Sequence, residues 1–183
     1  MWRRNIKRGW LSRSGMKKII KKSVRWKKIG DVYEIATEKG LAYFQYTHEH
    51  TRPPKWGSLI RVLSGFYQTR LPNDKLAELV NKPHRFQTFL FLTHAIKDDE
   101  VVFIENFPIP DFAKNFPIFK NTNANRNADQ KDAIWSLWDG EKAWRVGKLS
   151  EEEQMKYPFH SLCDATALSI KIERGVSGQR KLC

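Results

Sequence analysis

The sequence predicts an α+β domain, built on a mostly antiparallel, strongly twisted sheet or small open barrel with a few short helices. Three observations predict it. Short runs of alternating apolar and polar residues recur between turn signals, as in half-buried strands. Helical periodicity is confined to a few brief stretches. No internal repeat and no strand–helix–strand period points to a parallel sheet. The 183 residues, 40% hydrophobic and 13% aromatic, suffice for one core and not for a second full domain.

Taken in order, residues 32–36 alternate as a first strand, 38–40 turn, and the aromatic run 41–48 returns as a second. Residues 49–55, with Pro53-Pro54, form a loop. A third strand is expected over 56–69, with Gly65 marking a bend or bulge. Asn73 is placed as the N-cap of a short helix that carries Leu76, Leu79 and Val80 on one face and ends before Pro83. Residues 86–96 hold the densest apolar run; lacking alternation, it reads as a central strand covered on both faces. Residues 101–105 pair back. The proline-punctuated stretch 107–119 is expected to wrap the surface irregularly, and the Asn-rich stretch 121–131 to face solvent.

The chain is then organised around a hairpin over 134–146. Ile134, Ser136 and Trp138 alternate with Trp135 and Leu137, and Asp139-Gly140 is expected to form a two-residue type I′ turn. Trp135, Trp138 and Trp144 are its large apolar anchors. Ser150 and Glu153 fit a capping box. Residues 164–174 are compatible with strand or helix, and Asp164 as cap with Gly175 as terminator favours helix. Residues 176–183 read as a frayed tail.

Charge divides the chain unevenly. The formal net charge is +13, yet residues 1–28 hold twelve Lys and Arg and no acid, which leaves 21 basic against 20 acidic residues in the body. The expected organisation is a basic tail over 1–28, disordered or a short amphipathic helix capped by Ser14, and one globular domain over 29–175. Such a tail suits a weak anionic partner, nucleic acid or a membrane surface, with Trp2, Trp10 and Trp26 able to stack. The bland alternatives are a solvated leader or translation starting at Met16. No apolar run reaches 18 residues, so no transmembrane segment is expected. Two cysteines make no disulfide framework, and a cytoplasmic location is the simplest expectation.

No catalytic constellation emerges. His48 and His50, two apart on a strand, are weak candidates for a metal pair, but no nearby third ligand completes a site. The plainer reading is a polar strand end. Cys163 with His160 lacks an orienting third group. There is no phosphate loop, nucleophile elbow or paired-carboxylate signature. The chain therefore reads as a non-enzyme without a cofactor. Exposed anchors for a partner are expected at the hairpin tip, Trp138 and Asp139, and in the loop with Arg52 and Trp56.

Three segments carry a family resemblance. They are Gly30 to Ile35 with Gly40 to Phe44; Phe107-Pro108-Ile109-Pro110 with Phe116 to Lys120; and Trp138-Asp139-Gly140 with Arg145 to Ser150, then Ile172 to Gly175. In order and spacing they resemble immunity protein 26 of bacterial polymorphic toxin systems, across about residues 28–175. The resemblance implies a small cytoplasmic protein that binds a cognate toxin and blocks it, with no catalytic residues of its own. A nucleic-acid-associated module acting through the basic tail and the aromatics is the alternative.

Overall fold

The computed structural model describes residues 26–122 and 133–175, and the architecture is α+β with two sheets. The tail segment 1–25, most of the Asn-rich stretch and residues 176–183 lie outside the described residues. Strands β1 (Asp31–Thr37), β2 (Gly40–His50), β3 (Gly57–Val62), β4 (Phe86–Leu90), β5 (Val101–Asn106) and β9 (Leu162–Cys163) form one sheet, ordered β5-β1-β2-β3-β4-β9. Every pairing is antiparallel except β4 with β9. Strands β6 (Phe119–Thr122), β7 (Trp135–Trp138) and β8 (Ala143–Gly147) form a second, antiparallel sheet.

Several expected elements are present and several are displaced. The expected long third strand stops at Val62; Gly65 then turns the chain at φ +100° so that Tyr67 exchanges backbone bonds with Leu41 at 2.7 and 2.9 Å. The apolar run 86–96 is not one strand. β4 ends at Leu90 and helix α2 (Leu92–Lys97) follows, burying Leu92 and Ala95 at helical spacing. Within β4 all five residues are buried, as the missing alternation implied, because β3 and β9 flank it and both faces are covered. In helix α1 (Asn73–Val80), Pro72 takes the N-cap position in an extended conformation, and no side chain caps the end. Proline there removes a donor that the helix leaves unpaired anyway. Helix α3 (Glu151–Lys156) carries the complete Ser150–Glu153 capping box. Helix α4 (Ala165–Arg174) starts at Asp164, whose side chain accepts from the Ala167 amide at 2.7 Å. β6 and β9, four and two residues long, are too short to signal themselves in the sequence.

The six-stranded sheet is covered on both faces. Helices α2 and α4 pack on one, burying Phe44, Ile60, Leu168 and Ile172. On the other, α1 closes Val32, Tyr43 and Leu63 at one end, while the second sheet closes Leu59 and Phe89 at the other through Phe119. Between these two caps runs a buried polar stripe in cross-strand register, Gln45 to Arg61 to Gln87. Arg61 is fully buried, donates to Gln45 Oε1 (2.8 Å) and the Val80 carbonyl (2.6 Å), and lies 5.4 Å from the Phe112 ring. Burial lowers its pKa to about 10. These donated bonds hold the guanidinium in a place where an unpaired charge is otherwise costly.

At the chain's basic end, two residues assigned to the tail by charge belong to the body. Lys27 Nζ lies 2.7 Å from Glu49 Oε2 and also donates to Ser58 Oγ, and the Lys28 amide donates to Asp31 Oδ2 at 2.8 Å. Burial raises the Glu49 pKa, but the bonds from Lys27, Tyr46 and Ser58 prevail and hold it below the ordinary carboxylate value. No helix among the described residues is long and apolar enough to cross a membrane.

Candidate functional site

The hairpin tip and the loop before β3, far apart in sequence, form one continuous surface. The strands of the hairpin pair as expected, Leu137 opposite Trp144 and Trp138 opposite Ala143. The connection is four residues, 139–142, and not the expected two-residue type I′ turn. Asp139 organises it: Oδ1 accepts from the amides of Glu141 (2.9 Å) and Lys142 (2.8 Å), and its own amide donates to the Lys142 carbonyl. These backbone bonds hold the Asp139 carboxyl below its ordinary pKa. An aspartate that caps a turn in this way suits a longer loop than type I′ allows. Of the two central residues expected at positive φ, Gly140 is (φ +98°) and Asp139 is not.

Gly140 is pressed against the loop partner. Its carbonyl accepts from His50 Nε2 at 2.8 Å, and a Cβ on it would lie 2.8 Å from the Phe116 ring. The Trp56 amide donates to His50 Nδ1 at 3.4 Å. With one ring nitrogen accepting and the other donating, His50 is the Nε2–H tautomer. Arg52 and Glu141, both exposed, complete the junction with a 2.9 Å ion pair.

Trp138, expected to stand exposed at the tip, is half-buried in an aromatic cluster. Its ring centroid lies 4.6 Å from His160, 5.0 Å from His50 and 5.7 Å from Phe116. Trp56 is also half-buried and meets His160 edge-on at 4.0 Å. Rings at such distances are held together by burial and by their quadrupoles. Burial, reinforced by His50 nearby, pushes the His160 pKa down to about 4. The sequence offered no local sign of this cluster, because Phe116 and Phe119 reach it from the segment leading into β6, and His160 from the loop between α3 and β9.

Exposed groups lie at the hairpin tip and along β8, where Trp144 projects from the sheet face opposite Trp138. Arg52 and Asp139 face solvent, as expected, and the flanking strand β8 is exposed over Ala143 to Val146. Trp144 (39%) and Val146 (36%) are among its solvent-facing side chains, with Ile134 (41%) just before the neighbouring strand. β8 pairs with β7 on one side, and among the described residues it ends the sheet on the other, so its outer backbone is an edge there. Of the three hairpin indoles read from the sequence as large apolar anchors, Trp144 is the most accessible and Trp135 is fully buried.

The weak metal pair is not assembled. His48 and His50 flank Phe116, and their Nε2 atoms engage different carbonyls, Lys114 (2.8 Å) and Gly140 (2.8 Å). Among the described residues no group of three His, Cys, Asp or Glu is placed to hold a metal ion. Cys163 and His160 do not meet as nucleophile and base: Cys163 is buried under α4 with its thiol donating to the Phe89 carbonyl at 3.3 Å, while His160 packs in the opposite cluster. No family model, curated protein or solved structure matches the chain.

Proposed function

We propose that this chain is a non-catalytic binding protein of the immunity class, which neutralises a cognate bacterial toxin by direct protein–protein contact. The surface for it is the junction of the hairpin tip with the 49–56 loop, continued along β8. The observation that carries this reading is the joining of Arg52, Asp139 and Glu141 into one exposed polar rim at the head of β8, a strand whose Trp144 and Val146 also face solvent, on the sheet face opposite Trp138. A rigid aromatic base under a mixed polar and apolar rim is what a preorganised protein interface requires. Trp56 and Trp138, expected as contact residues, serve in this reading as the buried base that fixes the rim. The outer edge of β8, unpaired among the described residues, adds backbone donors and acceptors that a partner strand can pair.

Stable inhibition requires an interface of roughly 1,200–2,000 Å² with a few buried aromatic or arginine anchors. Trp144 and Arg52 are the anchors offered. The test is co-expression with the toxin encoded beside this chain's gene. Survival with the whole chain, and death with a chain carrying Arg52→Glu and Trp144→Ala, is the expected result. Death regardless of this chain, with the toxin shown to be active, contradicts the reading.

A further inference from the structure

Away from the hairpin tip, a cleft of about 660 Å³ opens beside β4. β9 pairs with Phe89 and Leu90; before that pairing, Phe86 and Gln87 form one wall of the cleft and residues 154–159 face them. Its volume lies in the range of small-molecule sites, about 300–1,000 Å³.

The charges lining this cleft have one sign. Arg85, Lys120 and Lys156 contribute to it, and among the described residues no Asp or Glu does. Lys120 is the unusual member, because its side chain is 3% exposed. Its Nζ donates to the Gln154 backbone carbonyl and lies 4.7 Å from the Phe159 ring and 5.5 Å from Trp135. Among the described residues no carboxylate lies within ion-pair distance of it. An ammonium carries three N–H donors, and one carbonyl with two ring faces leaves its charge uncompensated. Burial accordingly lowers the Lys120 pKa to about 8. Three further buried polar atoms of lining residues lack hydrogen-bond partners: His84 Nδ1, Arg85 Nη1 and Gln154 Oε1. Arg85 is steadied by the Phe66 ring, 5.3 Å away. Apart from Gln87, the remaining lining is apolar or aromatic, including Pro117, Ile118, Tyr157 and Phe159.

We propose that this cleft binds a small organic phosphate with a planar body, of mononucleotide size. Lys120, Arg85 and Lys156 hold the phosphate, and the Tyr157–Phe159 wall packs on the ring. A phosphate fits better than a carboxylate, because a dianion matches several cations with no acid among them, and a guanidinium takes phosphate oxygens in pairs. The site is separate from the hairpin-tip surface and does not depend on the immunity reading.

The test is calorimetric titration of the full chain at fixed ionic strength, with AMP and UMP as probes and inorganic phosphate and adenosine as controls. Expected is mononucleotide binding below about 1 mM, with each control weaker by about tenfold or more. Lys156→Gln, at an exposed position, should weaken AMP by roughly threefold or more, and Lys120→Met by roughly tenfold or more. Lys120→Met should remain folded, since an apolar chain of similar length replaces a buried, unpaired cation. If it does not fold, Lys156→Gln decides. The basic residues 1–28 also attract phosphates, so the cleft variants are decisive: AMP affinity unchanged in them overturns the proposal. No mononucleotide binding at about 5 mM overturns it as well. Equal affinity for inorganic phosphate and AMP overturns the assignment of an organic ligand.

Discussion

His50 Nε2 donates to the carbonyl of Gly140 at 2.8 Å, across 90 positions of sequence. This bond ties the end of β2 to the tip of the β7–β8 hairpin, and with the Arg52–Glu141 ion pair it makes one surface of two loops. Gly140 is the conformationally demanding partner. Gly140→Val places a branched side chain at φ +98° and a Cβ against Phe116, so a loss of about 1–3 kcal/mol is expected in urea unfolding. An unchanged midpoint would mean that the tip rearranges freely and is not held by His50.

The Arg52–Glu141 pair should do little for stability. Both side chains are more than half exposed. A double-mutant cycle with Arg52→Ala and Glu141→Ala should give a coupling below about 1 kcal/mol. A larger coupling would show that the junction is a structural lock, and would weaken the case for these residues as partner contacts.

Trp138 and Trp144 should separate in their effects. Trp138→Ala leaves a hole among His50, Phe116 and His160, and should cost about 2–4 kcal/mol of stability. Trp144→Ala should change stability by about 1 kcal/mol or less, because its ring lies at an exposed edge. Paired thermal melts decide between the two assignments.

Acid should weaken the fold through histidine. The unfolded chain protonates His160 near pH 6.5, while the folded chain resists until about 4. Between these values the unfolded state binds more protons, so the contribution is complete above about pH 6.5 and is lost as pH falls toward 4. The loss is at most about 3 kcal/mol. Burial shifts His84 in the same direction. His160→Phe should flatten the stability profile between pH 6.5 and 4.5; an unaltered slope would place the effect on other groups.

The boundary of the body can be located by truncation. A chain beginning at Arg25 keeps Lys27 and should melt within a few degrees of the whole chain. One beginning at Ile29 loses the Lys27 bonds to Glu49 and Ser58, and should lose about 1 kcal/mol. Equal melting of the two would make the Lys27 contact energetically silent.

Much of the fold was legible where local chemistry is decisive. The first strand, the Ser150–Glu153 box, and Asp164 with Gly175 around α4 all rest on a few residues; the half-buried alternation read over 32–36 is not kept, since Asp31 to Ile35 are all buried. The strand-to-helix switch after Leu90 was not legible, because an unbroken apolar run satisfies both periods. The four-residue turn was missed because Asp139-Gly140 satisfies the two-residue pattern as well, and the choice lies with Asp139 capping two amides further on. At the site, Arg52 and Asp139 were readable as exposed polar tips. The burial of Trp138 was not, since Phe116 and His160 come from distant loops and periodicity carries no such information. Lys120 left no signal, because a lysine in a short strand looks like any solvated one.

The most direct test of toxin binding is the dissociation constant of the complex with the toxin encoded beside this chain, measured at two salt concentrations. Expected is tight binding that changes little with salt and weakens by about 2 kcal/mol, roughly thirtyfold, in Trp144→Ala, whose folding is intact. Absence of a complex would contradict the proposed function. So would binding that falls steeply with salt and vanishes when residues 1–26 are removed, which is the behaviour of a phosphate-binding tail.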